Sequence, residues 1–117
     1  EFSRYELHRV WKVEATLKEG ARHVYAKRTF YVDEDSWQIA LADHYDNHGQ
    51  IWRVAEGHAL QFVNAKTPWD VSTTSYDLFS GRYLVELNNE EKRPFQFGKM
   101  IKRKKFTASA IRRQGKG

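Results

Sequence analysis

Within the stretch YVDEDSWQIALADHYDNHGQIWRV, residues 31–54, lie Asp33, Glu34, Asp35, Asp43, His44, Asp46 and His48. Carboxylates and imidazoles at that density could hold a metal ion or move protons, so their spacing must decide. A calcium loop of the EF-hand type needs oxygen ligands at alternate positions and a Glu at the twelfth. Counted from Asp43, the third position is Tyr45 and the twelfth is Val54, and the pattern fails. His44 and His48 have an i,i+4 spacing that suits zinc on a helix, but they lie on a strand running into a turn. Both acidic groups sit where hydrophobic alternation stops, Asp33 to Ser36 before Trp37 and Asp46 to Gly49 before Gln50. Asp and Asn bond their own backbone in turns, and Gly supplies positive φ. The clusters read as turns, and no metal or cofactor is expected.

Covalent chemistry is no better supplied. The chain has no cysteine, which excludes disulfides and thiolate metal sites. A Ser or Thr nucleophile would lack the Gly-x-Ser-x-Gly elbow, and no glycine loop cradles a phosphate. Glu56 and His58 stand two apart on one strand and could touch, but they imply no partner nucleophile. No enzymatic role is expected.

The elements that must position these side chains follow from a period of two. In RYELHRVWKVEATL the odd positions run Tyr5, Leu7, Arg9, Trp11, Val13, Ala15, Leu17, which reads as a long strand with one buried face. Gly20 supplies a turn, and VYAKRTFYV, WQIALADHY and QIWRVAEGHALQFV then resume the alternation between turn-rich breaks. Four strands in sequence form an antiparallel meander. AKTPWD reads as a loop because Pro68 cannot serve a central strand. VSTTSYDL, RYLVELN and RPFQFGK read as further strands, and Thr107 caps a short helix that carries Arg112 and Arg113 and stops at Gly115. The fold class is all-β, with a short C-terminal helix.

With Glu19-Gly20 as a two-residue turn, Trp11 stands opposite Arg28 and Arg9 opposite Phe30. Carried across the next hairpins, that register puts Trp37, Ile39, Leu41 and Asp43 on the same face, joined by Trp52, Val54, Glu56, His58, Leu60 and Phe62. The opposite face then carries His8, Lys12, Glu14, Tyr25, Lys27, His44 and Arg53 and reads as solvated. Two readings of the embedded charges stay open. One is a structural network in which Arg28 or Arg9 neutralises Glu56, since an unpaired buried charge is costly. The other is a ligand cavity with apolar walls and arginines for an anionic head group.

The chain has 117 residues, is 40% hydrophobic and 15% aromatic, and carries a net charge of +5 that hides an asymmetry. Residues 1–91 hold ten Lys/Arg and fifteen Asp/Glu, or −5; residues 92–117 hold ten Lys/Arg and no acid, or +10. The basic tail KMIKRKKF folds across the acidic body in the first reading, meets an anionic membrane surface in the second, and binds nucleic acid in the third. No apolar run approaches the ~18 residues of a spanning helix.

The YELHRVW…KR-FY-DEDSWQI…YD--G--WR framework, with SYDLFSGRY and the closing FTASAIRR, resembles the C-terminal part of the bacterial envelope family catalogued as domain of unknown function 1329. The resemblance implies a C-terminal fragment of a longer periplasmic or outer-membrane protein. It implies a curved antiparallel sheet, part of the half-barrel of the lipoprotein carriers LolA and LolB, around a hydrophobic cavity. It favours a cavity over a network and implies a non-catalytic role: binding or transport of a lipid or lipoprotein acyl chain. The site expected on that reading comprises Arg9, Trp11, Arg28, Phe30, Trp37, Ile39, Leu41, Trp52, Glu56 and His58. Exposed edges or the apolar face would admit a homodimer or an envelope protein partner.

Overall fold

The computed structural model describes residues 5–87 and 96–115. Six strands pair only with their sequence neighbours, β1 (Val10–Thr16), β2 (Lys27–Asp33), β3 (Ile39–Tyr45), β4 (Ile51–Phe62), β5 (Thr67–Asp77) and β6 (Arg82–Leu87), all antiparallel. The sheet does not close. Among the described residues, Ala42 and Ala110 are the only fully buried apolar side chains. The radius of gyration is 17.5 Å, against about 13 Å for a compact domain of this length. An open sheet with so little core has an apolar face that something else must cover.

The turns are built as their residues dictate. Asp33 Oδ2 accepts from the Ser36 amide (2.9 Å) and hydroxyl (2.6 Å), and Asp46 Oδ1 accepts from the amides of His48 and Gln50, each at 2.9 Å. Gly49 takes φ 80°. Both acidic clusters are turns. Trp37 closes the first of them at φ 59°, a left-handed conformation that a bulky residue rarely adopts.

Register differs from expectation in two instructive ways. The first hairpin is not a two-residue turn: Leu17 donates to Ala26 across a loop over 18–25. Phe30 therefore faces Val13, Arg28 faces Ala15 and Trp11 faces Val32. The slip is four residues, and an even slip leaves each side chain on its expected face. The second difference is a bulge. Val32 pairs Ile39 as the alternation requires, but Tyr31 pairs Leu41 and Phe30 pairs Ala42, so Ala40 has no β2 partner. One extra residue reverses the facing of everything beyond it. Leu41 and Asp43 thus leave the face of Arg28 and Phe30, and Ala42 and His44 replace them.

Two more bulges follow, at Trp52 against β3 and at Val71 against β4. Thr67 to Asp70, expected as loop, extend β5; Pro68 pairs Gln61 there, before β6 joins at Ser72. Among the described residues no strand pairs with β5 at Pro68 on that side, where a missing N–H costs nothing. Of the expected strand RPFQFGK, residues 93–95 lie outside the described residues, and Gln96 to Lys99 form no strand. The helix α1 (Ala108–Gln114) forms as expected, with Thr107 Oγ1 accepting from the Ala110 amide at 3.3 Å and Gly115 at its end.

Candidate functional site

One face of the sheet is hollowed, and its floor is made of small side chains. Ala42 and Ala55 pair across β3 and β4, and Gly57 and Thr73 pair across β4 and β5. Gly57 is required by space: a Cβ there would stand 2.6 Å from the carbonyl oxygen of Ile39, which the β3 bulge brings over it. Trp37 and Ile39 border this floor, in an open hollow of about 500 Å³ that Gln38, Trp69 and Asp70 also line. On the adjoining strands the same face carries Trp11, Val13, Phe30 and Val32. Trp11 is 55% exposed, Trp37 72% and Ile39 50%, far more than a core tolerates.

Toward the β3–β4 turn the same face becomes cationic. Arg28, His44 and Arg53 stand side by side on β2, β3 and β4, and the row continues through Asp77 to Arg82. Tyr25 stacks on His44 at 4.6 Å between ring centroids and accepts from Arg53 at 3.0 Å. Here a second hollow of about 340 Å³ is lined by Tyr25, His44, Arg53, Asp77, Arg82 and Leu84. Ala55 borders both hollows, which therefore lie next to one another.

The electrostatics of this end are set by few contacts. Asp77 is held down to about 2, first by the Ser80 amide and then, against the cost of burial, by Arg53 and Trp52. Arg53 Nε lies 3.1 Å and Trp52 Nε1 3.0 Å from Asp77 Oδ2. Burial pushes the His44 imidazole below its ordinary value, and Arg28 and Arg53 push it further, against the opposing pull of Asp43. Nδ1 of His44 is buried and makes no hydrogen bond. Arg28 and Arg82 make no ion pair among the described residues; Arg28 lies 5.9 Å from the Phe30 ring.

Of the residues expected to share a site, Trp11, Arg28, Phe30, Trp37, Ile39 and Trp52 do lie on or beside this face. Trp52 reaches it through its bulge, edge-on to Tyr25 at 5.8 Å and under Arg53 at 4.3 Å. Four do not. Arg9 is drawn to the β2–β3 hairpin, where Nε meets Glu34 Oε2 at 2.6 Å. Leu41, Glu56 and His58 occupy the other face because the Ala40 bulge reversed the strand. The expected Arg–Glu56 network is therefore absent: Glu56 instead accepts from Tyr5 (3.0 Å) and Tyr76 (3.4 Å), with His58 at 3.8 Å. Tyr25, His44 and Arg53, expected in solvent, belong to the site. Two sequence signals mark the change: the unbroken apolar triplet Ile39-Ala40-Leu41, and a glycine within a strand at position 57.

The first-ranked reading of the basic tail also needs correction. Among the described residues no ion pair joins Lys99, Lys102, Arg103, Lys104, Lys105, Arg112 or Arg113 to the acidic body. Met100 (94% exposed) and Phe106 (69%) stand among these cations.

The family model described as protein of unknown function (DUF1329) matches residues 1–112. The chain belongs to this family. It is 53% identical over 116 residues to the uncharacterised protein PA3922 of Pseudomonas aeruginosa, a match that takes in 98% of this chain and 26% of that protein. The chain thus spans about a quarter of the length of that relative. Two solved structures share the fold. One is a putative outer membrane lipoprotein-sorting protein domain from Vibrio parahaemolyticus (TM-score 0.56, 13% identity, 87% of this chain and 41% of that one). The other is a DUF1329 family protein from Desulfovibrio piger (TM-score 0.58, 17% identity, 87% and 40%). The unclosed antiparallel sheet of the described residues is therefore a fold that these two structures share.

Proposed function

We propose that this chain is part of a non-catalytic protein of the bacterial envelope, facing the periplasm, that binds and carries a hydrophobic or amphiphilic molecule of the lipid or acyl-chain class. One observation carries the reading: two hollows lie side by side on one open face, the larger bordered by exposed Trp37 over a floor of alanine and glycine. A ligand site is concave and largely apolar with few polar groups, and a face needed only for folding would be filled. The shared fold with a lipoprotein-sorting domain supports the same class of cargo. Trp11, Phe30, Trp37 and Ile39 would contact the apolar part, and Trp52 would stand at the polar end.

Native mass spectrometry of the protein at its full natural length, with lipid analysis of the organic extract, tests this. A discrete amphiphile that is released by solvent is the expected result. A clean apo mass that takes up no added lipid would leave the face as a docking surface for an envelope protein or a second copy.

The tail cations, outside any ion pair among the described residues, support a second element of the same function. Basic side chains near an anionic bilayer are worth ~1 kcal/mol each, and exposed Met100 and Phe106 add apolar insertion. Sedimentation with anionic vesicles should retain the protein and with zwitterionic vesicles should not; equal behaviour would discard the tail as a membrane contact.

A further inference from the structure

The cationic hollow has a chemistry that cargo carriage alone does not require. A purely apolar cargo needs no polar end, and three arginines on one face repel one another unless something negative lies between them. Asp77 answers one of them, Arg53, through the 3.1 Å contact. Arg28 and Arg82 remain outside any ion pair among the described residues, on either side of that pair along the sheet. His44 stands between Arg28 and Arg53 with a buried nitrogen that no protein group satisfies. The His44 ring lines the hollow between two guanidinium groups, and because Nδ1 has no exposed surface, bonding to an anion there falls to the arginines beside it.

Resting on the carrier reading above, we propose that Arg28, His44, Arg53 and Arg82 form an anion site for the head group of an amphiphile, a phosphate or carboxylate. The apolar chain then runs past Ala55 into the hollow beside Trp37. Direction is fixed by the strands: Phe30 to Arg28, Ala42 to His44 and Ala55 to Arg53 each lead from the apolar end to the cationic end. A guanidinium offers a flat fork of donors that meets two oxygens of one oxyanion, and two forks flanking an imidazole suit a tetrahedral phosphate or a planar carboxylate. Asp77 orders this end: it holds Arg53 and Trp52 in place, and its single charge leaves the group of three arginines positive.

The test is calorimetric titration of the full-length protein at low salt with three probes. These are a single-chain phosphoglycerol amphiphile, an uncharged maltoside amphiphile of the same chain length, both below micelle formation, and inorganic phosphate. The phosphoglycerol amphiphile should bind at least tenfold more tightly than its maltoside counterpart. Arg28→Ala with Arg82→Ala should erase that preference. Equal affinity for both amphiphiles in the unaltered protein overturns the anion site while the carrier reading stands. Phosphate bound without either amphiphile, and lost in the double variant, supports the site and removes the carrier reading. No binding of any probe overturns both. Circular dichroism of the double variant guards against simple unfolding, and Arg28→Lys, which keeps charge and loses the fork, should restore only part of the preference.

Discussion

On the face of the sheet that carries Glu56, polar groups find one another. Tyr31 donates to Asp43 at 3.0 Å, Lys12 and Lys27 share Glu14 at 3.1 and 3.7 Å, and Glu56 takes two tyrosine hydroxyls. On the face that carries His44, among the described residues, one ion pair forms and Arg28 and Arg82 stand outside any. The same strands build both faces, so secondary structure does not explain the contrast. A folded chain satisfies the charges it uses for folding, because leaving them unmet costs stability. Arg82 is exposed and Arg28 partly so, so water meets their charge, and outside any ion pair among the described residues they are free to meet a partner beside the hollow. Thr29 is an exception on the paired face: fully buried, its hydroxyl makes no hydrogen bond, and nothing in the structure explains it.

The comparison breaks most directly at Gly57, whose missing side chain makes the hollow. Gly57→Val puts carbon against the Ile39 carbonyl, where backbone must move. Overpacking of that kind costs about 1–3 kcal/mol, to be read as a lower urea midpoint together with loss of amphiphile uptake. Unchanged stability would mean that β3 does not lie over β4 as described.

Next in size is a pair of substitutions, one on each face. Arg28→Ala should weaken an anionic amphiphile roughly tenfold, the loss of one charge-assisted contact, and shift stability by less than about 0.5 kcal/mol. Glu56→Ala should do the reverse: affinity unchanged, and stability lower by about 0.5–1 kcal/mol through its tyrosine partners. Titration and urea denaturation of both variants check the pair. If the two behave alike, the faces do not differ in role.

Acid acts on both faces, more gently. Asp77 is depressed from 3.8 to about 2 in the folded protein, so the unfolded chain binds more protons between those values. Its contribution is present above about pH 4 and is lost as pH falls toward 2. Asp33 and Glu14, on the other face, are also depressed and share that loss. His44 is depressed too, and the unfolded histidine takes up its proton first, so its contribution falls as pH drops below its ordinary value of 6.5, whereas the raised His8 gains over the same range. Urea midpoints should fall on acidification, and Asp77→Asn should shrink the fall below about pH 4 without changing the response near 6.5. His44→Phe should shift that upper response toward greater stability. A response that neither variant alters would place the acid-sensitive groups elsewhere.

What was legible in the sequence was what depends on local rules. Alternation located the first four strands, the Asp and Gly clusters located the turns, and Thr107 located the helix. Facing was legible only up to the first bulge. The four-residue slip between β1 and β2 did no harm because it was even, whereas the single unpaired Ala40 moved Leu41, Glu56 and His58 off the expected site and brought His44 and Arg53 onto it. A bulge is a tertiary compromise, here between the Ile39 carbonyl and Gly57, and alternation carries no record of it beyond an apolar triplet. Arg9 was lost for a simpler reason: the loop over 18–25 shifted β1 along its neighbour, which placed Glu34 within reach of Arg9.

The smallest expected effect concerns the wall of the apolar hollow. Trp37 sits at φ 59°, a conformation that costs an L-residue about 1–2 kcal/mol. Its side chain is 72% exposed, so little packing offsets that cost. Strain of this kind persists where it positions a group for use. Trp37→Gly relieves it, at an entropic cost to the folded chain of about 0.5–1 kcal/mol, so stability should hold or rise by a few tenths of a kcal/mol. Uptake should change instead: the gain in affinity for each added methylene of an amphiphile series should shrink, while the preference between head groups stays. A variant that loses more than about 1 kcal/mol of stability would show an indole that holds the hairpin rather than the cargo, and the apolar end of the site would then begin at Ile39.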